Sequence, residues 1–461
     1  MNPSSNYSRR TFIKTTAAAT AGTMAMSAQS YASILGANDR LNVGVIGLNG
    51  RGKALVKSAS ATDNVFVKYI CDVDTRAVEK GVDLAKKSGN KKVKGEGDIR
   101  RLLEAKDLDA IMIAAPDHWH AAMTLMGLQA GKHVYVEKPL SHNPAEGELL
   151  IQAVEKYGKI VQMGNQQRSG PASMEAVKMI HDGAIGKAYF GKAWYSNTRG
   201  SIGKGKQAAV PEWLDYDLWQ GPAPRKPFQD NLIHYNWHWF WHWGTGELLN
   251  NGTHEIDVCR WALGVDYPIR VSSAGGRYHF DDDWQFYDTQ VSSFDFEGGK
   301  TITWEGHSCN GIKHYNRGRG ALIRGTEGSV MLDRNSCILY DKNGKVVKEI
   351  KEAAKSATTN TVGAGYLDSE HMKNFVGAIR NGDAQNSPLT EGHKSVLLCQ
   401  LGNIAQHLGR DLSINSENGR VRNDPSAMNM WGREYEPGWE LKLDGGMSKS
   451  KATNTESGGN K

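Results

Sequence analysis

A glycine-rich loop near the start of the chain has the residue types and spacing of a pyrophosphate-binding site. It reads Gly-Leu-Asn-Gly-Arg-Gly and fits the G-x-G-x-x-G pattern with asparagine in place of the second glycine. Such a turn lets backbone N–H groups approach phosphate oxygens at a helix N-terminus. An apolar run precedes the loop and a helical stretch follows it, which is the context of a dinucleotide site. The residues that we expect to form it are Gly47, Asn49, Gly50, Arg51 and Gly52.

An aspartate follows the next apolar run, about 20 residues after the loop, as the dinucleotide pattern requires. The carboxylate of Asp72 can accept hydrogen bonds from the hydroxyls of an adenosine ribose, and it repels a 2′-phosphate. The sequence therefore favours NAD over NADP. Arg51 and Arg76 keep NADP open, because an arginine nearby could bind that phosphate.

An aromatic segment at 234–243 has tryptophan at every second position from Trp237 onward. In a strand the tryptophans would share one face, with His238 and His242 on the other. Rings beside polar groups suit a sugar, and a core or subunit-interface edge is the alternative. We take Tyr235, Trp237 and His238 as candidate substrate contacts. The two histidines could ligate a metal, but no full ligand signature appears, and we predict no metal site.

A helix expected at 248–263 places three polar residues, Asn250, His254 and Asp257, on one face. His254 is the candidate general base, because the unperturbed pKa of imidazole lies near neutrality. Asp257 could hold the tautomer of that ring or be structural. Arg168 follows the fifth apolar run and is a further candidate substrate contact.

The elements that position these residues fall into two patterns. Up to residue 164, short apolar runs alternate with helical stretches, which predicts a parallel sheet with helices on both faces. The expected strands are 41–46, 65–71, 110–114, 133–136 and 159–163. After residue 164, longer and partly alternating strands separated by turn dipeptides predict a mostly antiparallel second sheet. The expected domains are 41–164 and 165–440, followed by a disordered tail at 447–461.

Composition excludes several classes of protein. The chain has 461 residues, 39% of them hydrophobic, so it is neither a disordered chain nor a disulfide-stapled miniprotein. Three of its six net positive charges lie in residues 1–32, which leaves +3 and no strong reason to expect a nucleic-acid partner. The five cysteines are scattered and form no C-x-x-C, so neither a disulfide framework nor a thiolate zinc site is indicated.

The N-terminus resembles a twin-arginine export signal. Residues 8–14 read Ser-Arg-Arg-Thr-Phe-Ile-Lys, with isoleucine in place of the usual leucine, and a weakly apolar run and small residues follow. We expect a signal peptide at 1–32 and a periplasmic protein exported in folded form with its cofactor loaded. The apolar run is too short and polar to span a membrane as a stable helix.

Two more motifs carry a family resemblance. Residues 131–139 read Gly-Lys-His-Val-Tyr-Val-Glu-Lys-Pro, and residues 115–120 read Ala-Pro-Asp-His-Trp-His. With the glycine loop and Asp72, they resemble the Gfo/Idh/MocA family of nicotinamide-dependent sugar and polyol oxidoreductases, over nearly the whole chain after residue 40. The resemblance implies an α/β fold: an N-terminal Rossmann domain plus a C-terminal α/β domain with a large open, mainly antiparallel sheet.

The resemblance also implies residue roles. In the family, the lysine of Glu-Lys-Pro, here Lys138, lies beside the reacting carbinol, where it can stabilise developing alkoxide character. Pro116, His120, Glu137 and Lys138 match the cofactor site. His254 and Asp257 match the catalytic helix, but Asn250 stands where the family usually has aspartate, which puts the usual acid–histidine relay in doubt.

Three functions follow from these residues. The first is an exported NAD(P)-dependent oxidoreductase, a homo-oligomer with tightly bound NAD, that interconverts a hydroxyl and a ketone on a sugar, glycoside or polyol. The alternative is an NAD-dependent glycoside hydrolase that works by transient C3 oxidation and elimination, for which Tyr235 and His238 have the Tyr-x-x-His spacing. The third, a non-catalytic sugar-binding protein, is favoured slightly by Asn250 and disfavoured by Lys138 and His254.

Overall fold

The computed structural model describes residues 40–334, 336–351 and 365–444. The signal peptide predicted at 1–32 and the tail predicted at 447–461 lie outside these residues. Two β-sheets organise the described chain, one of six strands and one of nine.

The first sheet is parallel throughout, with strand order β3-β2-β1-β4-β5-β6. Its strands are β1 (Leu41–Ile46), β2 (Val65–Cys71), β3 (Lys94–Glu96), β4 (Ala110–Ile113), β5 (His133–Val136) and β6 (Val161–Met163). The helices between them are α1 (Gly52–Ser60), α2 (Thr75–Lys87), α3 (Ile99–Leu103), α4 (Asp117–Gln129) and α5 (Pro144–Tyr157). This is the Rossmann order, and the central strands are apolar because helices cover both faces. The sequence missed β3, a short edge strand.

Local signals set the ends of two helices. α2 begins at Thr75 because the carboxylate of Asp74 accepts hydrogen bonds from the backbone N–H groups of Arg76 and Ala77. α5 begins at Pro144 after the Asn143 cap and ends at Gly158, whose φ of 60° closes the helix in the left-handed region.

The second sheet is mixed but mainly antiparallel, which confirms the expected fold class. Its order is β14-β13-β12-β11-β7-β10-β9-β8-β15, and β7 with β10 is the only parallel pair among the described strands of this sheet. The strands are β7 (Ala188–Ser196), β8 (Arg270–Gly276), β9 (Thr289–Phe296), β10 (Lys300–His307), β11 (Arg319–Gly325), β12 (Gly328–Leu332), β13 (Ser336–Asp341), β14 (Val346–Lys351) and β15 (Leu412–Ser413). The helices are α6 (Pro171–His181), α7 (Tyr216–Gln220), α8 (Thr253–Leu263), α9 (Tyr366–Asn381), α10 (Leu389–Leu408) and α11 (Pro425–Asn429).

The last long helix, α10, joins the two halves of the molecule. It packs against β8 of the second sheet and against α5 of the first domain. Its Gln400 side chain donates to the Ser141 carbonyl, just before α5. None of the helices in the described ranges is long and apolar enough to cross a membrane.

The strand considered for the tryptophan segment is wrong. Residues 234–243 form a short 3-10 helix at Asn236–Trp239 and tight turns, in which the Trp243 N–H donates to the Phe240 carbonyl at 3.0 Å. Ring packing overrides the alternating pattern, because Trp239 stacks on Trp284 with ring centres 3.9 Å apart. The tryptophans therefore do not share one face.

Candidate active site at the carboxyl edge of the parallel sheet

A cavity of about 810 Å³ lies where the carboxyl ends of the parallel strands face the second sheet. The first domain contributes the residues that follow β1, β2, β4 and β5, and the second contributes residues from β7, β11 and the aromatic segment. Sequence-predicted residues that line the cavity are Gly47, Asn49, Gly50, Arg51, Asp72, Pro116, His120, Glu137, Lys138, Tyr235, Trp237, His238 and Asn250.

The glycine loop has the geometry of a phosphate cradle. Gly47 has a φ of +83°, and a Cβ there would lie 2.5 Å from the Ala114 carbonyl oxygen. A Cβ on Gly52 would lie 1.8 Å from the Gly47 carbonyl oxygen. Both positions therefore require glycine, whereas a Cβ on Gly50 would meet nothing within 4 Å. This open side, at the start of α1, fits the pyrophosphate of NAD.

Asp72 lies in this cavity at the end of β2. Its carboxylate accepts hydrogen bonds from the backbone N–H groups of Leu48, at 2.6 Å, and Asp74, at 3.0 Å. Burial raises the pKa of Asp72 to about 6, although these hydrogen bonds oppose the shift. The nearby Arg76 pairs with Asp74 at 3.0 Å and lies over the Trp213 ring, 3.3 Å from its centre.

Arg51 and Glu137 form an ion pair beside the glycine loop. The Arg51 Nε donates to Glu137 at 2.7 Å, and a terminal nitrogen of the same guanidinium pairs with Asp368 at the start of α9. Glu137 also accepts a hydrogen bond from Gln166. Glu137 thus anchors Arg51 and does not contact Lys138 directly in the described contacts.

Lys138 lies at the centre of the cavity wall. Its peptide bond to Pro139 is cis, and the His120 ring lies 2.6 Å from the Pro139 carbonyl oxygen. The Lys138 Nζ donates to the Asn250 backbone carbonyl at 2.6 Å and to its side-chain oxygen at 3.0 Å. Burial lowers the pKa of Lys138, against the raising effect of the Asp117 carboxylate.

The helix expected at 248–263 starts as a π-helical turn, Leu248–Gly252, and continues as α8. The turn places Asn250 and Asn251 in the cavity wall. His254 lies one turn further on, is 2% exposed, and does not line the cavity. Its Nε2 has no hydrogen-bond partner among the described residues, and burial, reinforced by the charge of Arg334, holds its pKa well below the usual range.

Two of the predicted site residues form a buried ion pair with one another. Arg168, at 6% exposure, binds the carboxylate of Asp257, at 1% exposure, through two hydrogen bonds of 2.8 and 2.9 Å. The hydroxyl of Ser395 also donates to Asp257. The pair joins α8 to the segment that leaves the first sheet, and neither residue lines the cavity.

The aromatic segment lines the cavity with only part of its length. The Tyr235 hydroxyl accepts a hydrogen bond from Arg199 at 2.8 Å, and the His238 ring stacks on Trp237 at 3.6 Å. His242 lines a separate cavity of about 490 Å³ and contacts the Pro224 carbonyl. The two histidines therefore line different cavities.

Sequence reasoning missed the arginines that the second domain contributes. Arg199, Arg317, Arg319 and Arg334 all line the cavity. Arg317 and Arg319, separated by one glycine, follow a polar loop and lead into β11. Two arginines at a strand entrance are the signal that could have indicated them.

Comparisons with known proteins agree with this geometry. Residues 41–165 match an oxidoreductase family with an NAD-binding Rossmann fold, and residues 185–441 match the C-terminal α/β domain of the same family. A glycosyl hydrolase family 109 protein of Saccharopolyspora erythraea is 32% identical over 213 residues, which cover 42% of this chain and 46% of that protein. One from Shewanella baltica is 30% identical over 211 residues, 41% of this chain and 46% of that protein.

The aligned part of the chain thus spans about half the length of these relatives.

Among solved structures, levoglucosan dehydrogenase in complex with NADH and levoglucosan aligns with a TM-score of 0.63. It is 20% identical, and the alignment covers 81% of this chain and 99% of that one. An NAD-binding oxidoreductase from Klebsiella pneumoniae aligns with a TM-score of 0.62 at 20% identity, covering 81% of this chain and 99% of that one. These two structures share the fold.

Proposed function

The chain belongs to the Gfo/Idh/MocA oxidoreductase family, and we propose that it interconverts a hydroxyl and a ketone on a sugar, glycoside or polyol with NAD. The observation that carries the proposal is the position of Lys138. Its amine lies in the wall of the cavity that also contains the glycine loop, and two oxygens of Asn250 fix its direction.

The cofactor site is built from the loop at 47–52, Asp72 and the strand ends that carry Pro116 and Glu137. NAD supplies the hydride acceptor for oxidation and, once reduced, the hydride donor for the reverse reaction. Asp72 is positioned to accept the ribose hydroxyls and disfavours a 2′-phosphate, so we propose NAD as the preferred form.

Lys138 moves the proton in this proposal. Lys138 accepts the proton of the substrate hydroxyl during oxidation in its amine form and returns it during reduction as the ammonium, and burial favours the amine form by lowering the pKa. Asn250 is a positioning residue, because its oxygens hold the amine.

A second function, glycoside hydrolysis through a transient C3 ketone, has one specific observation in its favour beside the names of the sequence relatives. The His238 Nδ1 lies 2.6 Å from the Tyr235 carbonyl oxygen, which can only accept, so Nδ1 carries the proton and Nε2 remains a base. Burial keeps the pKa of this ring well below its usual range, so the base is neutral. Nε2 is thus free of a proton and in the cavity wall, where it can accept a C2 proton as a weaker base than free imidazole.

A product assay separates the two functions. The NAD-loaded protein is incubated with nitrophenyl glycosides and with free sugars and polyols, and products are identified by mass spectrometry. A keto product two mass units below the substrate supports the oxidoreductase. Released nitrophenol without net oxidation supports the hydrolase, and no product from any compound contradicts both.

We also propose export by the twin-arginine route with NAD tightly bound, on the strength of the Ser-Arg-Arg-Thr-Phe-Ile-Lys string. Cell fractionation tests it, with a matched variant in which Arg9 and Arg10 are both lysine. The wild-type chain should reach the periplasm carrying nucleotide, and the variant should remain in the cytoplasm. Equal distribution of the two forms would contradict the route.

A further inference from the structure

Four arginines surround the part of the cavity that the second domain contributes, and three of them have carboxylate partners. Arg199 pairs with Glu247 at 2.7 Å, and Arg317 pairs with Asp333 at 2.6 Å. The fork of Arg319 binds both oxygens of Glu255, at 2.7 and 2.9 Å. The protein itself therefore neutralises these three charges.

The fourth, Arg334, is different. No carboxylate of the described ranges lies within 4 Å of its nitrogens, and its Nε is buried without a hydrogen-bond partner. Burial, together with the like charge of Arg319, lowers the pKa of Arg334 to about 9, against the raising effect of the Glu255 and Asp368 carboxylates. A guanidinium whose Nε is buried without a hydrogen-bond partner is unfavourable unless a ligand supplies the missing acceptor.

Arg334 lies near the proposed reaction centre. It follows β12 and lines the cavity, as Lys138 does. Its charge and those of Arg319 and Lys138 add to burial in holding down the pKa of His254, on the helix behind Asn250. The adenosine end is marked instead by Asp72, at the end of β2.

We propose that Arg334 binds an anionic substituent of the sugar, either a carboxylate or a sulfate ester. A guanidinium presents a planar fork of N–H donors that matches both oxyanions. The substrate class is then a uronic acid or sulfated sugar or glycoside, and neutral sugars bind weakly. This inference rests on the proposed function, because it places the sugar in this cavity.

Isothermal titration of the NAD-loaded protein tests the proposal with methyl glucoside, methyl glucuronoside, the methyl ester of that glucuronoside, and methyl glucoside 6-sulfate. We expect the carboxylate, the sulfate, or both to bind about tenfold or more tighter than the neutral glucoside and ester. The charged ligand that binds more tightly identifies the substituent as a carboxylate or a sulfate. Equal affinity for charged and neutral compounds would overturn the anion site.

Variants test whether Arg334 is the source of the preference for anionic ligands. Arg334→Gln should remove most of the preference for the anion, Arg334→Lys should retain part of it, and affinity for neutral ligands should change little. Arg324→Gln is the matched control, since it removes the same charge at an exposed position of β11. Because Arg334 has no carboxylate partner in the described ranges, its loss should not lower the melting temperature. Weaker NAD binding by Arg334→Gln, with ligand preference intact, would assign the arginine to the cofactor and overturn the proposal.

The same titrations distinguish failure of the proposed function. Tight binding of an anionic sugar that yields neither oxidised nor hydrolysed product would support the anion site and contradict the activity. Oxidation of neutral sugars alone, with no anion preference, would support the activity and contradict the site.

Discussion

Changing Asn250 to aspartate tests the role of Lys138 through the pH dependence of the reaction. The Asn250 side-chain oxygen lies 3.0 Å from the Lys138 Nζ. A full charge at that distance is worth up to about 5 kcal/mol at an effective dielectric constant of ~20. Close opposite charges in proteins move a pKa by about 1–3, which corresponds to roughly 1.4–4 kcal/mol. We therefore expect Asn250→Asp to raise the pKa of Lys138 by that amount.

A raised pKa of Lys138 moves both pH limbs upward, but it slows oxidation and favours reduction. Oxidation needs the neutral amine, so its acid limb should move to higher pH, and kcat/KM below that limb should fall about tenfold for each pH unit that the limb moves. Reduction needs the ammonium, so its alkaline limb should also move up, and reduction should gain at high pH. The assay is the pH profile of kcat/KM in both directions, with NAD and with NADH.

Asn251→Asp is the matched control for that experiment. Its side chain contacts Glu247 and Arg319 and makes no described contact with Lys138, so it adds the same charge one residue away. We expect a smaller displacement of both limbs. Limbs that stay in place in Asn250→Asp, or that move to lower pH, would refute the assignment of Lys138 as the proton carrier.

Three further predictions follow from the site. Lys138→Ala should lower kcat by about 10²–10⁴-fold while NAD affinity, measured by titration, changes little, and retained turnover would contradict its role. Because burial raises the pKa of Asp72 to about 6, the preference for NAD over NADP should weaken as pH falls through 6, where the carboxylate takes up a proton. Dissociation constants for both nucleotides measured across that range check this, and a constant ratio would count against it. Asp257→Asn should reduce the free energy of unfolding by about 1.5–3 kcal/mol, because it removes the nearer carboxylate of the buried Arg168 and leaves only Glu391, at 3.7 Å. Denaturant titration measures this loss, and an unchanged stability with lost activity would restore Asp257 to the catalytic site.

The fold could be predicted well where local chemistry decides structure. β1, β2 and β5 have the predicted bounds, because a buried parallel strand is a continuous apolar run. The glycine loop was predictable for a different local reason, since its backbone geometry requires glycine at Gly47 and Gly52. Asp72 was predictable because it follows the apolar run of β2 directly. β14 was missed, because its charged residues and two exposed valines carry little hydrophobic signal.

The site was harder to predict where partners come from distant parts of the chain. Arg168 and Asp257 have the residue types of a substrate clamp and a catalytic acid, yet 89 positions apart they neutralise one another. Periodicity places His254 and Asn250 on one helix face, but it does not reveal the π-helical turn that puts Asn250 in the wall and His254 behind it. The strand considered for the alternating tryptophans is wrong for a related reason, because Trp239 packs against Trp284, a ring from a distant part of the chain.

The central claim is that a hydride leaves a sugar carbon for NAD while Lys138 takes the hydroxyl proton. Single-turnover absorbance of NADH, recorded after mixing the NAD-loaded protein with a glycoside deuterated at the reacting carbon, tests it most directly. We expect NADH formation that is slower with the deuterated than with the ordinary glycoside and nearly absent in Lys138→Ala. Product formation without an NADH signal, or equal rates in the wild type and Lys138→Ala, would contradict it.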